Sequence, residues 1–244
     1  MCGRYTLRKG LSSIAEKLGD YALESAPEDI AEEVPRYNIA PTQKNLVLRK
    51  SFENPELLQI ARLRWGLVPS WSKTPQTQTP MINARSETVA EKPSFRAAFQ
   101  RRRCLVPADG FYEWKKHKGA NLPYFFSLAD ESVFLMAGIW ETWVGEHNQQ
   151  FDSFTILTTH ANALMAKYHE RMPVILDGDR IAQWLETDVP KLSPADQHEL
   201  FAPVESDHMV CRPANPIVNN NRSDGPACLE APASNPLSQL DLGL

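Results

Sequence analysis

Cys104-Leu105-Val106-Pro107-Ala108-Asp109-Gly110-Phe111-Tyr112-Glu113-Trp114 is the stretch on which the fold turns. An apolar run leads in, Gly110 permits a turn or bulge, and an aromatic run leads out. The spacing predicts two strands, Cys104–Val106 and Phe111–Trp114. Further strand candidates crowd behind them at Tyr124–Leu128, Val133–Trp143 and Phe154–Thr158. Upstream, Asn45–Arg49 forms a short candidate, and Ala61, Leu63 and Trp65 alternate with Arg62 and Arg64 as in a half-buried strand. Val210–Pro213 returns to the sheet. Helical spacing appears at Leu11, Ile14, Ala15 and Leu18, with Gly19 as a stop. Ser94 is read as the cap of a short helix over Phe95–Phe99, and Asn83 as the opening of another. Ala161–Tyr168, Arg180–Leu185 and the segment opened by Ser193-Pro194 complete the helices. Residues 25–36 and 69–80 read as loops, the second held extended by Pro69, Pro75 and Pro80. Strands in runs, without strand–helix alternation, imply a single α+β domain. Its sheet is expected to be curved, barrel-like, mostly antiparallel and flanked by helices. The domain is expected over residues 1–229, with a flexible tail at 230–244.

The chain has 244 residues, 42% hydrophobic and 23% charged, with a net charge of -4. That balance excludes a protein that coats nucleic acid by bulk charge, but not one with a local basic groove. The two dense basic runs are Arg101-Arg102-Arg103 and Lys115-Lys116-His117-Lys118. No apolar run approaches the roughly 20 residues that span a bilayer. The start, Met1-Cys2-Gly3-Arg4-Tyr5, lacks the apolar core of a secretory signal. A cytoplasmic protein is expected. Cys2, Cys104, Cys211 and Cys228 form no close pair, so neither a metal site nor a disulfide framework is expected. Cys104, within an apolar run, reads as a buried small hydrophobe.

Cys2 differs from the other three by its position. Removal of Met1 would expose an α-amine beside a thiol on one residue. The amine titrates near about 8, well below lysine, and the thiol near about 8.5. A 1,2-aminothiol condenses with an aldehyde to an imine, and its sulfur then closes a five-membered thiazolidine. Its other use is that of a thiol hydrolase, in which the amine serves as base. Four segments carry further candidate chemistry. Asn38 and Pro41 sit in Arg36-Tyr37-Asn38-Ile39-Ala40-Pro41, which is equally readable as turn chemistry. Asn83 and Arg85 follow the Pro-rich loop, and an arginine at a helix start suits phosphate. Glu113 lies between aromatics. An inward side chain would be desolvated and suited to acid–base work, an outward one a surface carboxylate. His169 and Arg171 stand where a helix gives way to a strand, with His160 as a rival histidine. Trp65 and Trp71 offer aromatic surface, although Trp65 reads equally as core.

Taken together and in order, these segments resemble the SRAP (SOS response-associated peptidase) family, also called abasic-site processing proteins. The matching pieces are Met1-Cys2-Gly3-Arg4-Tyr5, Arg36-Tyr37-Asn38-Ile39-Ala40-Pro41, Trp65-Gly66-Leu67-Val68-Pro69, Ile82-Asn83-Ala84-Arg85-Ser86-Glu87, and Cys104 through Trp114. Thr158-Thr159 through His169-Glu170-Arg171-Met172-Pro173 and a final Val218-Asn219 complete them. The resemblance implies a cleft for single-stranded DNA or a single-/double-strand junction, and a self-limiting covalent attachment to abasic sites through Cys2. It implies catalytic partners at Asn83, Glu113 and His169. DNA contacts are implied at Arg4, Asn38, Pro41, Trp65, Trp71, Arg85 and Arg171. No cofactor and no metal are expected. Expected partners are single-stranded DNA with abasic sites and replication-fork proteins, with no membrane. A monomer suffices, cytoplasmic and nucleoid-associated when DNA is damaged. The alternative is a thiol autopeptidase using Cys2.

Overall fold

The alternation at Ala61, Leu63 and Trp65 belongs to a strand, Leu58–Trp65, whose two ends meet different partners. The computed structural model describes residues 2–24, 33–75, 79–117, 119–146, 149–186 and 191–232. In chain order the strands begin with β1 (Arg4–Leu7), β2 (Arg36–Ile39), β3 (Lys44–Lys50), β4 (Leu58–Trp65) and β5 (Asn83–Arg85). They continue with β6 (Arg103–Ala108), β7 (Gly110–His117), β8 (Ala120–Leu128), β9 (Phe134–Val144) and β10 (Gln150–His160). β11 (Arg171–Pro173), β12 (Ile175–Leu176) and β13 (Met209–Pro213) complete the set. The helices are α1 (Leu11–Ala15), α2 (Arg96–Arg101), α3 (Asp179–Glu186) and α4 (Pro194–Leu200).

One antiparallel sheet runs β13-β8-β7-β1-β2. The other runs β11-β10-β4-β3-β6-β9-β12, with β5 lying parallel to β10. Its long strands β9 and β10 also pair, Val144 with Gln150 through Gly138 with Ile156. The pairings β10-β4-β3-β6-β9-β10 therefore close a ring, the barrel-like curvature expected of an α+β domain of this kind. Closure needs Gly138. A Cβ there would meet Cys104 Sγ at 2.9 Å and the Thr155 carbonyl oxygen at 3.3 Å.

The principal core lies between the two sheets. Trp65, 0% exposed, meets the Tyr5 ring of β1 edge-to-face at 5.1 Å and stacks on Phe154 of β10 at 6.3 Å. Its Nε1 donates to the Ile82 carbonyl at 2.9 Å, which ties the segment before β5 to the same ring. A buried carboxylate fixes β1 from the other side. Asp109, 0% exposed, accepts from the Thr6 hydroxyl, from the Arg8 backbone N–H at 2.7 Å and from Arg8 Nε at 3.1 Å. The turn into β7 that this requires is possible because residue 110 is glycine: a Cβ would fall 2.0 Å from the Phe125 ring.

Several local expectations change. Asn83 opens no helix. Its segment is β5, because Asn83, Ala84 and Arg85 pair with Ile156, Leu157 and Thr158, and Ala84 is buried there. Tertiary pairing overrides the capping signal of a polar stretch. Ser94 does not cap α2, which begins one residue after Phe95 and has no side-chain cap. The Ala161–Tyr168 segment is a turn with a 3-10 stretch at Met165–Lys167. α1 ends at Ala15 rather than Leu18, and Gly19 then takes φ +61. Ser193 does cap α4, accepting from Asp196 N at 3.2 Å. Among the described residues no helix is long and apolar enough to cross a membrane. Among the described residues the last buried one is Leu229. Of the expected tail, residues 233–244 lie outside the described residues, as do Met1, Lys118, residues 25–32 and residues 76–78 of the Pro-rich loop.

Candidate active site

The site is assembled where β1, β5 and β7 meet. Alternation along β7 decides the orientation of Glu113. Tyr112 and Trp114 join a second apolar cluster with Phe125, roofed by Ala214, Val218 and Leu229. Phe111 points the other way, stacking on Phe126 at 5.3 Å within the principal core. Glu113 shares that inward face and is 4% exposed. It is thus the buried carboxylate of the two readings, with Oε2 accepting from the Trp114 N–H at 3.3 Å.

Cys2 is 0% exposed and reaches the same interior. Burial, reinforced by the nearby Glu113 charge, pushes its thiol up to about 12. Asn83 clasps Cys2 from β5: its Nδ2 donates to the Cys2 carbonyl at 2.8 Å. The other end of that amide, Oδ1, is buried and has no partner among the described residues. A buried acceptor left open is costly and rare, and it marks a position with room for one more donor.

His169 follows the 3-10 stretch Met165–Lys167 and is half-buried. Its Nδ1 accepts the Arg171 backbone N–H at 2.9 Å, which fixes the ring and commits Nδ1 as an acceptor. The preceding residue, Tyr168, packs on Tyr124 at 4.5 Å, and Tyr124 is the β8 partner of Glu113. Among the described residues no group of three or more His, Cys, Asp or Glu is placed to hold a metal ion.

The residues expected at the DNA divide into two sets. Trp71 is 64% exposed, the Arg85 side chain is 57% exposed, and Pro41 is half-buried at the turn after β2. Among the described residues Arg85 has only a loose 3.9 Å pairing with Glu170, which is worth little at a surface and is easily exchanged for a phosphate. The second set is enclosed. Trp65 has no surface to offer a base. Asn38, 0% exposed, donates through Nδ2 to the carbonyls of Val218, Asn220 and Ser223, and its Oδ1 accepts from Arg4 at 2.9 Å. These two act as framework, because burial and internal hydrogen bonds consume what a ligand would need. Arg4 is half committed: the same NH1 also donates to the Val218 carbonyl at 2.7 Å. Arg171 is buried and forked onto Glu87 at 2.6 and 2.9 Å, with a further bond to the Thr158 carbonyl. Only its Nε lacks a partner among the described residues.

The basic runs also separate. Arg102 pairs with Glu141 of β9 at 2.5 Å, and Arg103 donates to the carbonyls of Trp184 and Phe99, so this run braces β9, α2 and α3. Lys115 and Lys116 are exposed on the β7–β8 hairpin that carries Glu113, with Lys115 Nζ 5.5 Å from the Tyr168 ring. Glu87 and Asp109 lie in segments that the sequence marks, but nothing there gives them a role, and Asp224 lies in none. Asp224 accepts from the backbone N–H groups of Tyr37 and Asn38 and pairs with Arg36. The final Val218-Asn219 match was the one hint of that wrapping segment, whose Asn219 accepts from Trp114 Nε1 at 2.6 Å.

The family model described as SOS response associated peptidase (SRAP) matches residues 1–221. The chain belongs to the SRAP family. This SRAP chain is 37% identical over 234 residues to abasic site processing protein YoqW of Bacillus subtilis, covering 95% of itself and 100% of that protein. It is 32% identical over 275 residues to abasic site processing protein HMCES of Rattus norvegicus, covering 96% of itself and 76% of that protein. In fold it is similar to a crystallised protein from Bacteroides thetaiotaomicron, with TM-score 0.79 at 24% identity over 94% of this chain and 99% of the other. A phage-related protein from Bordetella bronchiseptica aligns with TM-score 0.65 at 28% identity, covering 87% of this SRAP chain and 93% of its own.

Proposed function

We propose that the protein senses abasic sites in single-stranded DNA and traps them covalently through Cys2 after Met1 is removed. The observation that carries this reading is the Asn83 clasp on the Cys2 carbonyl, whose second amide arm is open and buried beside the residue that would become the N-terminus. A freed α-amine there would belong to the residue that Asn83 clasps, and the Glu113 charge already acts on that residue's thiol. The names of the YoqW and HMCES relatives point to the same substrate.

The order of steps follows from the ionisation of the two nucleophiles. Burial raises the Cys2 thiol while Met1 is in place and so favours its protonated form, whereas a free α-amine near about 8 is partly unprotonated at neutral pH. The amine therefore leads. His169 and Glu113 move protons to open the deoxyribose ring, and the amine attacks the C1′ aldehyde. The carbinolamine loses water, with Glu113 as the acid for the departing oxygen. The Cys2 sulfur then adds to the imine carbon while the thiol proton passes to the nitrogen, giving a thiazolidine. The net loss is one water. An imine alone acidifies C2′ and invites β-elimination; closing the ring removes the imine and shields the strand. Asn83 holds the adduct in orientation. Action on exposed single strands fits a cytoplasmic monomer that meets the nucleoid and replication-fork proteins.

The test is intact-mass analysis of Met-less protein mixed with a single-stranded oligonucleotide carrying one abasic site. The expected product is protein plus DNA minus one water, absent for Cys2→Ala and formed or released more slowly for Glu113→Gln. No adduct from Met-less wild type sinks the reading and favours the thiol peptidase. Unchanged rates in both directions for Glu113→Gln remove that residue from the mechanism.

A further inference from the structure

A cavity of about 320 Å³ opens beside the Glu87–Arg171 pair, at the low end of the range of small-ligand pockets. Two of its lining residues, His160 at the end of β10 and His198 on α4, hold their rings 19° from parallel with centroids 6.0 Å apart. Phe201, buried, also lines it. Ser86, Thr159 and Gln197 add two hydroxyls and an amide, so donors and acceptors are both present. Flat aromatic faces with a tolerant polar edge are the chemistry that receives a nucleobase without reading its identity.

The cavity is built rather than incidental. Ser86 N–H donates to the Thr158 carbonyl at 2.9 Å, which straps the segment after β5 onto β10. His160 pairs with Arg171 across β10 and β11. α4 is held by its Ser193 cap, and Arg180 of α3 donates to the Leu200 and Ala202 carbonyls at 2.6 and 2.8 Å. His198 is therefore exposed on a fixed support.

Its place along the chain fits a substrate strand. Glu87 lies four residues beyond Asn83, and four fully extended residues span at most about 14 Å. Stacked nucleotides advance about 3.4 Å each, so that span is at most about four nucleotides and the cavity lies within reach of a strand whose lesion is held at Asn83. The exposed Arg85 stands between the two positions in sequence, where a phosphate would link them.

We propose that this cavity, with His198 as a stacking face, takes up a nucleobase flanking the abasic nucleotide. The proposal rests on the abasic-site reading above for its ligand, and its test does not depend on the covalent chemistry. The probe is a single-stranded oligonucleotide with the fluorescent base 2-aminopurine on one side or the other of a tetrahydrofuran residue, which has no aldehyde. A parallel strand carries a true abasic site, and the adduct is scored in the same samples. The expected result is quenching on binding at one flank only, with His198→Ala reversing the quench and weakening binding about tenfold, the scale of one lost base–aromatic contact. His198→Phe should retain the quench. On a strand whose flanking positions are also tetrahydrofuran, His198→Ala should bind as wild type does. A one-sided quench without any adduct supports the pocket and counts against the covalent reading alone. An equal quench in wild type and His198→Ala, or none on either strand, overturns the pocket even where the adduct forms.

Discussion

Trp65 and Trp71 stand at the two ends of one short stretch and have opposite fates. Trp65 is sealed between Tyr5, Phe154 and the Ile82 carbonyl, while Trp71 is 64% exposed. The same division separates Arg171, forked onto Glu87, from Arg85, whose pairing is loose. It separates Asn38, consumed by the carbonyls of residues 218 to 223, from Pro41 at its turn. Two concentric regions result. An inner frame holds Cys2, Asn83 and Glu113 in register, and an outer rim is free to meet a polyanion. Membership in one motif does not say which region a residue serves. Removing a frame residue should cost stability first. Removing a rim residue should cost binding and leave the fold alone.

The largest effect belongs to the frame. Trp65→Ala should destabilise the protein by about 3–5 kcal/mol, the range for deleting a large buried aromatic. The urea midpoint measures it. The rim substitution Trp71→Ala is the control and should change stability by no more than about 0.5 kcal/mol. Equal midpoints for the two variants would erase the distinction between frame and rim.

Strands β3, β4, β6 to β10 and β13 were legible from apolar runs and period-two alternation, whereas β1, β2, β5, β11 and β12 are short, polar or Pro-bearing and carried no such signal. The closure of the ring was not legible. β10 meets β9, β4, β5 and β11 in succession, and no local pattern announces four partners for one strand. Asn83 carried a capping signal that pairing with Ile156 overrode. Glu113 could not be assigned a face, since aromatics flank it on both sides. The second cluster beneath Val218 and Leu229 decides the matter, by drawing Tyr112 and Trp114 outward. Asn38 looked available because its partners lie far along the chain, at residues 218 to 223. For the site, the residues themselves suggested chemistry at Cys2 and Glu113, the family resemblance added Asn83 as an expectation, and the structure places Asn83 on the Cys2 carbonyl. The supports at Glu87, Asp109 and Asp224 are ordinary acids until folding brings Arg171, Thr6 and Arg36 to them.

On the rim, Trp71→Ala should weaken binding to a single-stranded oligonucleotide by about 1–3 kcal/mol, the usual worth of one base–aromatic stack. Fluorescence anisotropy at fixed salt reads it, and the adduct rate at saturating DNA should stay as in wild type. A slower reaction at saturation would mean that Trp71 also aligns the lesion and belongs partly to the frame.

The smallest effect is the most diagnostic. A single exposed arginine contributes to affinity chiefly by releasing counterions from the strand. The slope of log K against log salt should therefore become shallower by about 0.7 in Arg85→Ala on single-stranded DNA. Arg171→Ala should not behave in that way. Its guanidinium is neutralised by Glu87 and hydrogen-bonded to Thr158, so its loss should lower stability and leave the salt slope unchanged. A shallower slope for Arg171→Ala would show that DNA displaces Glu87 from the fork. Arg171 would then move from the frame to the rim, and the boundary between them would be set by the ligand rather than by the fold.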